Sequence, residues 1–245
     1  MKAPGGIFVI SPCYNEEACV ASTLQALRRA CPDVTIVAVN DGSTDRTLAR
    51  LRELNDPELV IIDLPVNSGI GTAVQTGLLY ACRHGAEFAV KFDSDGQHPA
   101  DQIAALLEPL RRGEADLVAG SRFLDGASGF QSTFFRRIGI LFFRFLSFLL
   151  TGRGVTDATS GFRAYNREAL EFAARNYPAF DYPEPEESIL FLRNEFRVLE
   201  VPCRMAERQG GRSSIGPGKA VYFMVKVGFA MVMAALRDRR RETKK

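Results

Sequence analysis

IFVISPCYNEEACVASTLQALRRACPDVTIVAVNDGS, residues 7–43, holds two short apolar runs separated by one helix-length segment. The first run is IFVI (7–10) and the second VTIVAV (34–39); between them, Leu24 and Leu27 stand at helical spacing within 16–30. The rhythm repeats outward. LVIIDL (59–64), FAVKF (88–92) and DLVAG (116–120) alternate with helical stretches at 44–54, 72–84 and 99–112, where Leu48 and Leu51 repeat the helical spacing. Repeated strand–helix units build a largely parallel sheet, because each helix carries the chain back to start the next strand. The expected fold class is therefore α/β, a single domain around a mostly parallel central sheet. In such sheets ligands bind beyond the carboxyl ends of the strands. Those ends are polar here: SPCYNEE (11–17), NDGSTDRT (40–47), DSDGQHP (93–99) and GSR (120–122).

Composition narrows the class further. With 245 residues, 46% hydrophobic and 24% charged, the chain suits one sizeable core and is neither disordered nor fibrous. The net charge of +2 is too balanced for a surface that grips nucleic acid. It is also unevenly spread: RDRRRETKK (237–245) carries +4, leaving residues 1–236 at −2. That tail lacks the interleaved aromatics that would stack on bases, so no nucleic-acid partner is expected. Five scattered cysteines without a CxxC pair exclude a disulfide framework or zinc site, and the four-residue apolar stretch near the start is too short for a signal peptide. A cytoplasmic protein is the expectation.

After residue 123 the pattern changes to short elements: GFRAY (161–165), a helix over 167–176, a Pro- and Glu-rich turn YPEPEE (182–187) and a strand FRVLEVP (196–202). Two apolar segments fall in this half. IGILFFRFLSFLL (138–150) is broken by Arg144, and AVYFMVKVGFAMVMAAL (220–236) contains Lys226; neither reaches the roughly 20 uninterrupted apolar residues of a span. They read either as buried core helices or as interfacial helices. The flanking Arg136, Arg137 and Arg239–Arg241 favour helices lying at anionic headgroups.

The densest chemistry lies in FDSDGQHP (92–99). Asp93, Asp95 and Gln97, two residues apart, would point the same way if extended, and hard oxygen ligands suit Mg²⁺ or Mn²⁺ holding a diphosphate. A solvated Asp-rich turn is the plainer reading, but two carboxylates closing an apolar strand cost more than a loop needs. In NDGSTDRT, Asp41 could accept a hydrogen bond from a ribose or base while Ser43 or Thr44 caps the next helix. In SPCYNEE, Tyr14 could stack on a base, and Glu16 or Glu17 could reach a ribose or open a helix. Gly69-Ile70-Gly71-Thr72-Ala73-Val74 begins like a dinucleotide fingerprint but ends in Val74 and follows the third strand, so it is set aside. Arg122, Arg136, Arg137, Arg208 and Arg212 are guanidiniums of the kind that phosphates attract.

SPCYNEE, VNDGSTDRT, FDSDGQHP, GSRF and SGFRAYNRE, in this order, resemble family 2 glycosyltransferases of the GT-A fold, and within them the polyprenyl-phosphate sugar transferases. The resemblance runs from about residue 7 to 214 and implies two regions: a GT-A domain over 1–215, and an amphipathic membrane-proximal helix with a basic tail over 216–245. It implies that Pro12, Tyr14, Glu16 and Asp41 hold the nucleoside of a nucleotide-diphosphate sugar, and that Asp93, Asp95 and Gln97 bind the metal and diphosphate. It further assigns Arg122 and Arg136 to the phosphate of a polyprenyl phosphate acceptor, and Arg208 and Ser213 to a loop closing over the donor phosphates. Asp95, Arg122 and Arg136 are thus the expected catalytic residues, at the inner face of the cell membrane. Two positions depart from the pattern: Ser214 stands where Lys is common, and Ile70 where many relatives carry Lys or Arg.

A phosphate acceptor is already ionised near neutral pH and needs no general base. Transfer to a sugar hydroxyl would need one, and Glu184, Glu186 and Glu187 are the candidates unless PEPEE simply opens a helix with acids at its N-terminus. A nucleotide-sugar-binding subunit without turnover is a third reading.

Overall fold

A computed structural model describes residues 6–124, 134–178, 182–205 and 220–237. A seven-stranded sheet runs in the order β3-β2-β1-β4-β6-β5-β7. Its strands are β1 Ile7–Cys13, β2 Thr35–Asp41, β3 Leu59–Leu64, β4 Phe88–Lys91, β5 Leu117–Ser121, β6 Arg163–Tyr165 and β7 Val198–Pro202. Every neighbouring pair is parallel except those of β6, which lies antiparallel between β4 and β5. The helices are α1 Val20–Ala30, α2 Thr47–Arg52, α3 Ile70–Arg83, α4 Ile103–Arg111, α5 Phe134–Thr151, α6 Arg167–Asn176, α7 Pro183–Arg193 and α8 Ala220–Leu236. The expected α/β class with a mostly parallel sheet is what forms. β1 and β2 extend beyond their apolar runs because Ser11, Pro12 and Cys13 stay in register with Ala38, Val39 and Asn40.

The two-residue period of the strands sorts side chains onto two faces. Val9, Ile36, Ala38 and Val90 pack with Val20, Leu24, Leu27 and Leu106 of α1 and α4. Phe8, Ile10, Val37 and Val39 face α3 and α6 through Val74, Leu78, Leu170 and Ala173. Both faces of the sheet are covered, as a parallel sheet requires. At the α3 crossing the backbone comes so close that a Cβ on Gly77 would stand 2.4 Å from Cγ2 of Ile10.

A third cluster sits beside the sheet, where Phe143 of α5, Ile189 and Leu190 of α7, and Val227, Met231, Ala234 and Ala235 of α8 meet. The two apolar segments of the second half thus each bury one side. Their other sides are apolar as well: Leu141, Phe145, Phe148 and Leu149 on α5, with Tyr222, Val225, Phe229 and Leu236 on α8, are 59–73% exposed. Among the described residues no helix is long and apolar enough to cross a membrane.

Replacing Gly77 by Ala should cost about 1–3 kcal/mol, because the added methyl forces Ile10 or the α3 backbone to move. Urea unfolding midpoints of the two proteins measure it.

Candidate functional site

Three loops meet beyond β1, β2 and β4. The first two are stitched together by backbone-to-side-chain hydrogen bonds. Asn15 N–H donates to Ser43 Oγ (3.1 Å), Thr44 N–H to Asn15 Oδ1 (2.8 Å) and Glu16 N–H to Thr47 Oγ1 (2.8 Å). Glu17 N–H donates to Asp45 Oδ2 (3.1 Å), and Arg46 N–H returns a bond to Glu17 Oε2 (2.9 Å). Asn15 takes a left-handed φ of 54°, which its short amide tolerates. The expected cap changes identity as a result. Ser43 and Thr44 are spent on Asn15, and Asp45 instead accepts from the N–H and hydroxyl of Thr47 at 2.9 and 2.5 Å.

Asp41 is buried, and its two oxygens accept the N–H groups of Ser68 (2.7 Å) and Gly69 (2.9 Å), fixing the approach to α3. The decoy glycines belong to this approach: Gly69 precedes α3 and Gly71 is buried within it. Tyr14 is 45% exposed, a ring open to a stacking partner. Glu16 is buried with Oε2 accepting the Cys19 thiol at 3.0 Å, and the half-buried Pro12 offers its carbonyl to Ser94 Oγ at 2.9 Å. Pro12, Tyr14, Glu16 and Asp41 therefore come from the adjoining ends of β1 and β2.

The third loop carries Asp93, Asp95 and Gln97. It is a turn rather than an extended segment, since Gly96 has φ 79° and Asp95 Oδ1 accepts Gln97 N–H at 3.0 Å. His98, which the sequence reading passed over, pins it. Its Nδ1 accepts the Asp93 N–H at 2.9 Å, so the proton belongs on Nε2, 3.5 Å from Asp93 Oδ2. Burial lowers the His98 pKa, and the ring stacks on Phe162 at 4.8 Å. Among the described residues no three acidic, His or Cys side chains form a ready-made metal cage. Two carboxylates on one turn fit a Mg²⁺ or Mn²⁺ ion that takes its remaining ligands from a diphosphate and water.

Behind this loop lies a buried charge cluster. Lys91, at the end of β4, forms an ion pair with Glu184 of α7, and both are enclosed. Burial would lower the Lys91 pKa, but Glu184 and Asp93 outweigh it and raise it, so the ammonium stays charged. Lys91 is in register with Arg163 across β4 and β6. Arg163 Nη1 reaches Glu187 Oε2 at 3.0 Å, and Tyr165 donates its hydroxyl to Glu187 Oε1 at 2.7 Å. A Cβ on Gly161 would lie 3.0 Å from Asp93 Oδ2, 3.2 Å from Lys91 Nζ and 3.6 Å from Glu184 Oε1, so a larger residue there would press on these side chains. PEPEE does open a helix, with Pro183 in its first turn, but Glu184 and Glu187 are buried ion-pair partners rather than solvated helix-end acids.

Arg122 is held by a residue that the sequence reading also missed. Its Nε and Nη2 donate to the two oxygens of buried Asp157, both at 2.7 Å, and Nη2 also reaches Thr159 Oγ1 at 2.8 Å. Glu200 of β7 holds the other side of this loop, accepting the N–H groups of Thr156 and Asp157 at 2.7 and 2.8 Å. Arg136 falls in the first turn of α5, and its side chain lies outside the described structure; Arg208 and Ser213 lie outside the described residues altogether.

Burial pushes the Asp45 carboxyl up, but the hydrogen bonds from Thr47 and Glu17 outweigh it and hold the pKa below its ordinary 3.8. A carboxylate favoured by folding adds stability above its unfolded pKa and loses that contribution as the pH falls through the folded value. Asp45→Asn should therefore lose less stability than wild type as the pH drops below about 4, read as urea midpoints across an acid series.

Known proteins resemble this chain in sequence and in fold. The family model described as glycosyl transferase family 2 matches residues 8–172. UDP-N-acetylglucosamine–dolichyl-phosphate N-acetylglucosaminyltransferase of Methanococcus voltae is 31% identical over 242 residues, covering 93% of this chain and 95% of its own. Polyprenol monophosphomannose synthase of Mycolicibacterium smegmatis is 32% identical over 225 residues, covering 89% and 84%. The crystal structure of glucosyl-3-phosphoglycerate synthase from Mycobacterium tuberculosis, in complex with Mn²⁺, uridine diphosphate and phosphoglyceric acid, superposes with a TM-score of 0.72 at 22% identity, covering 96% of this chain and 80% of that one. The fold is GT-A.

Proposed function

We propose that this chain, which belongs to glycosyl transferase family 2, moves a sugar from a nucleoside diphosphate to a polyprenyl phosphate at the inner face of the cell membrane. The observation that carries this reading is the near end-to-end similarity to two enzymes named for dolichyl and polyprenol phosphate acceptors. In the reaction an acceptor phosphate oxygen bonds to the anomeric carbon as the bond from that carbon to the diphosphate oxygen breaks. The nucleoside diphosphate leaves with the electron pair, and in-line attack inverts the anomeric centre. No proton need be removed, because the acceptor oxygen is already ionised.

Pro12, Tyr14, Glu16 and Asp41 would hold the nucleoside, Tyr14 by stacking on the base. Asp93, Asp95 and Gln97 would hold a Mg²⁺ or Mn²⁺ ion, which would neutralise the departing diphosphate. A structure of the same fold bears Mn²⁺ and uridine diphosphate, which supports a divalent ion in general. Arg122 and Arg136 would offset the charge of the acceptor phosphate, with Asp157 fixing the plane of the Arg122 guanidinium. Arg208 and Ser213 would close over the donor phosphates. The exposed apolar sides of α5 and α8 would lie in the headgroup region, with the 237–245 tail on anionic lipid.

A hydroxyl acceptor would need a base. Glu187 has both oxygens engaged by Arg163 and Tyr165, Glu184 pairs with Lys91, and Glu186 stands 3.8 Å from Arg237. None of the three supports that route.

The direct test incubates the protein with UDP- and GDP-sugars, Mg²⁺ or Mn²⁺ and short polyprenyl phosphates, and scores lipid-linked sugar. Transfer to a glycan hydroxyl with none to any lipid phosphate would overturn the proposal. Asp95→Asn should lower turnover by at least about 100-fold while leaving the urea midpoint near wild type. In vesicle sedimentation, removing residues 237–245 should weaken binding to anionic vesicles and leave the weaker binding to neutral ones unchanged. Equal anionic binding by the truncated protein would detach the tail from that role.

A further inference from the structure

The Lys91–Glu184 pair has a chemical consequence beyond packing. Lys91 is fully buried, yet it closes the strand that leads directly into the Asp93–Asp95 turn. Asp93 Oδ2, Lys91 Nζ and Glu184 Oε1 all lie within 4 Å of the point a Gly161 Cβ would occupy. Glu184 is thus the glutamate of α7 that stands at the donor loop. Glu187, three residues on and on the same face of the helix, is turned to Arg163 and Tyr165 instead.

Lys91 is not the sole anchor of α7. Arg163 alone binds Glu187, the Glu184 carbonyl (2.8 Å) and Ser188 Oγ (3.0 Å), and also reaches the Ser160 carbonyl (2.9 Å). An ammonium on Glu184 adds something different. It engages Oε1, the carboxylate oxygen on the side of the Asp93 turn.

We propose that Lys91 is a specificity-determining residue: by holding Glu184 in an ion pair, it restricts transfer to acceptors that arrive already ionised. This rests on the reading of the chain as a polyprenyl-phosphate sugar transferase and names the residue that sets its acceptor class. With Oε1 of Glu184 held by the ammonium, and Asp93 and Asp95 assigned to the metal, water at the anomeric carbon lacks a carboxylate free to take its proton on this side. Without Lys91, the water oxygen would bond to the anomeric carbon, its proton would pass to Glu184, and the nucleoside diphosphate would leave with the electrons of the broken bond. The donor would then be hydrolysed without an acceptor.

The experiment measures nucleoside diphosphate release from UDP-N-acetylglucosamine, UDP-glucose and GDP-mannose without acceptor, in wild type, Lys91→Met, Glu184→Gln and the double variant. Donor binding by calorimetry shows that each protein is folded. Lys91→Met should release nucleoside diphosphate at least about tenfold faster than wild type, and the double variant should return to the wild-type rate. An unchanged rate in a Lys91→Met protein that binds donor would overturn the proposal, as would a rise that persists in the double variant. If Lys91→Met does not fold, Glu184→Gln decides. Transfer to farnesyl phosphate within about threefold of wild type supports the proposal, and a loss beyond about 100-fold with donor binding kept makes Glu184 a base and overturns it. The two readings fail separately. Wild-type inactivity on every polyprenyl phosphate, alongside Glu184-dependent hydrolysis by Lys91→Met, removes the lipid acceptor but keeps the role of Lys91. Hydrolysis independent of Glu184 does the reverse.

Discussion

Four buried charges between β4, β6 and α7 tie the sheet to the helical half of the molecule. Lys91 and Arg163 lie side by side across two antiparallel strands, and Glu184 and Glu187 meet them from one face of α7. Each charge taken singly out of water would be prohibitive, and the arrangement persists because every one has an opposite partner, Arg163 and Glu187 adding further hydrogen bonds. Breaking one member is expected to cost far more than the pair contributes, since the survivor is left buried without compensation. Satisfied in this way, the cluster is stiff. It joins β6 to α7 beside Gly161 and Asp93, so the acidic turn is backed from behind as well as pinned by its own His98 and Asp95.

How much of this could be read beforehand follows from the range of each interaction. The strands of the first half and helices α1 to α4 were legible because hydrophobic periodicity is a local signal, and LVIIDL coincides with β3. The polar strand ends also marked the site, since α/β geometry places ligands there. What the polar residues do to one another was not legible. Asn15 meets Ser43 across 28 positions, Arg122 meets Asp157 across 35 and Lys91 meets Glu184 across 93. No spacing rule connects residues so far apart. Some signals were nonetheless present: a lysine inside FAVKF is an anomaly in a strand destined for burial, and the His of GQHP was an unassigned polar group beside two carboxylates.

The stitching of the first two loops shows why a motif can be both structural and functional. Ser43, Asp45 and Thr47 accept the backbone N–H groups of Asn15, Glu17 and Glu16, Asn15 accepts that of Thr44, and the cost of holding two loops in fixed conformations is offset by hydrogen bonds made before any ligand arrives. Tyr14 remains 45% exposed on that rigid frame. Arg122 follows the same logic on the other side of the sheet, its guanidinium plane fixed by Asp157 and the Asp157 loop fixed in turn by Glu200.

The antiparallel strand β6 has a consequence for the order in which the molecule can be built. β5 pairs only with β6 and β7, through residues 163–165 and 198–202, and never with β4. During synthesis the emerging chain can therefore assemble β1 to β4 and their helices while β5 still lacks any partner in the sheet. Only when residues 163–165 insert between β4 and β5 does Gly161 come to rest against Asp93, and only when α7 follows is Lys91 neutralised. Completion of the acidic turn is thus deferred until the later half of the chain has left the ribosome, and a prematurely terminated product ending before β6 carries that turn without the framework behind it.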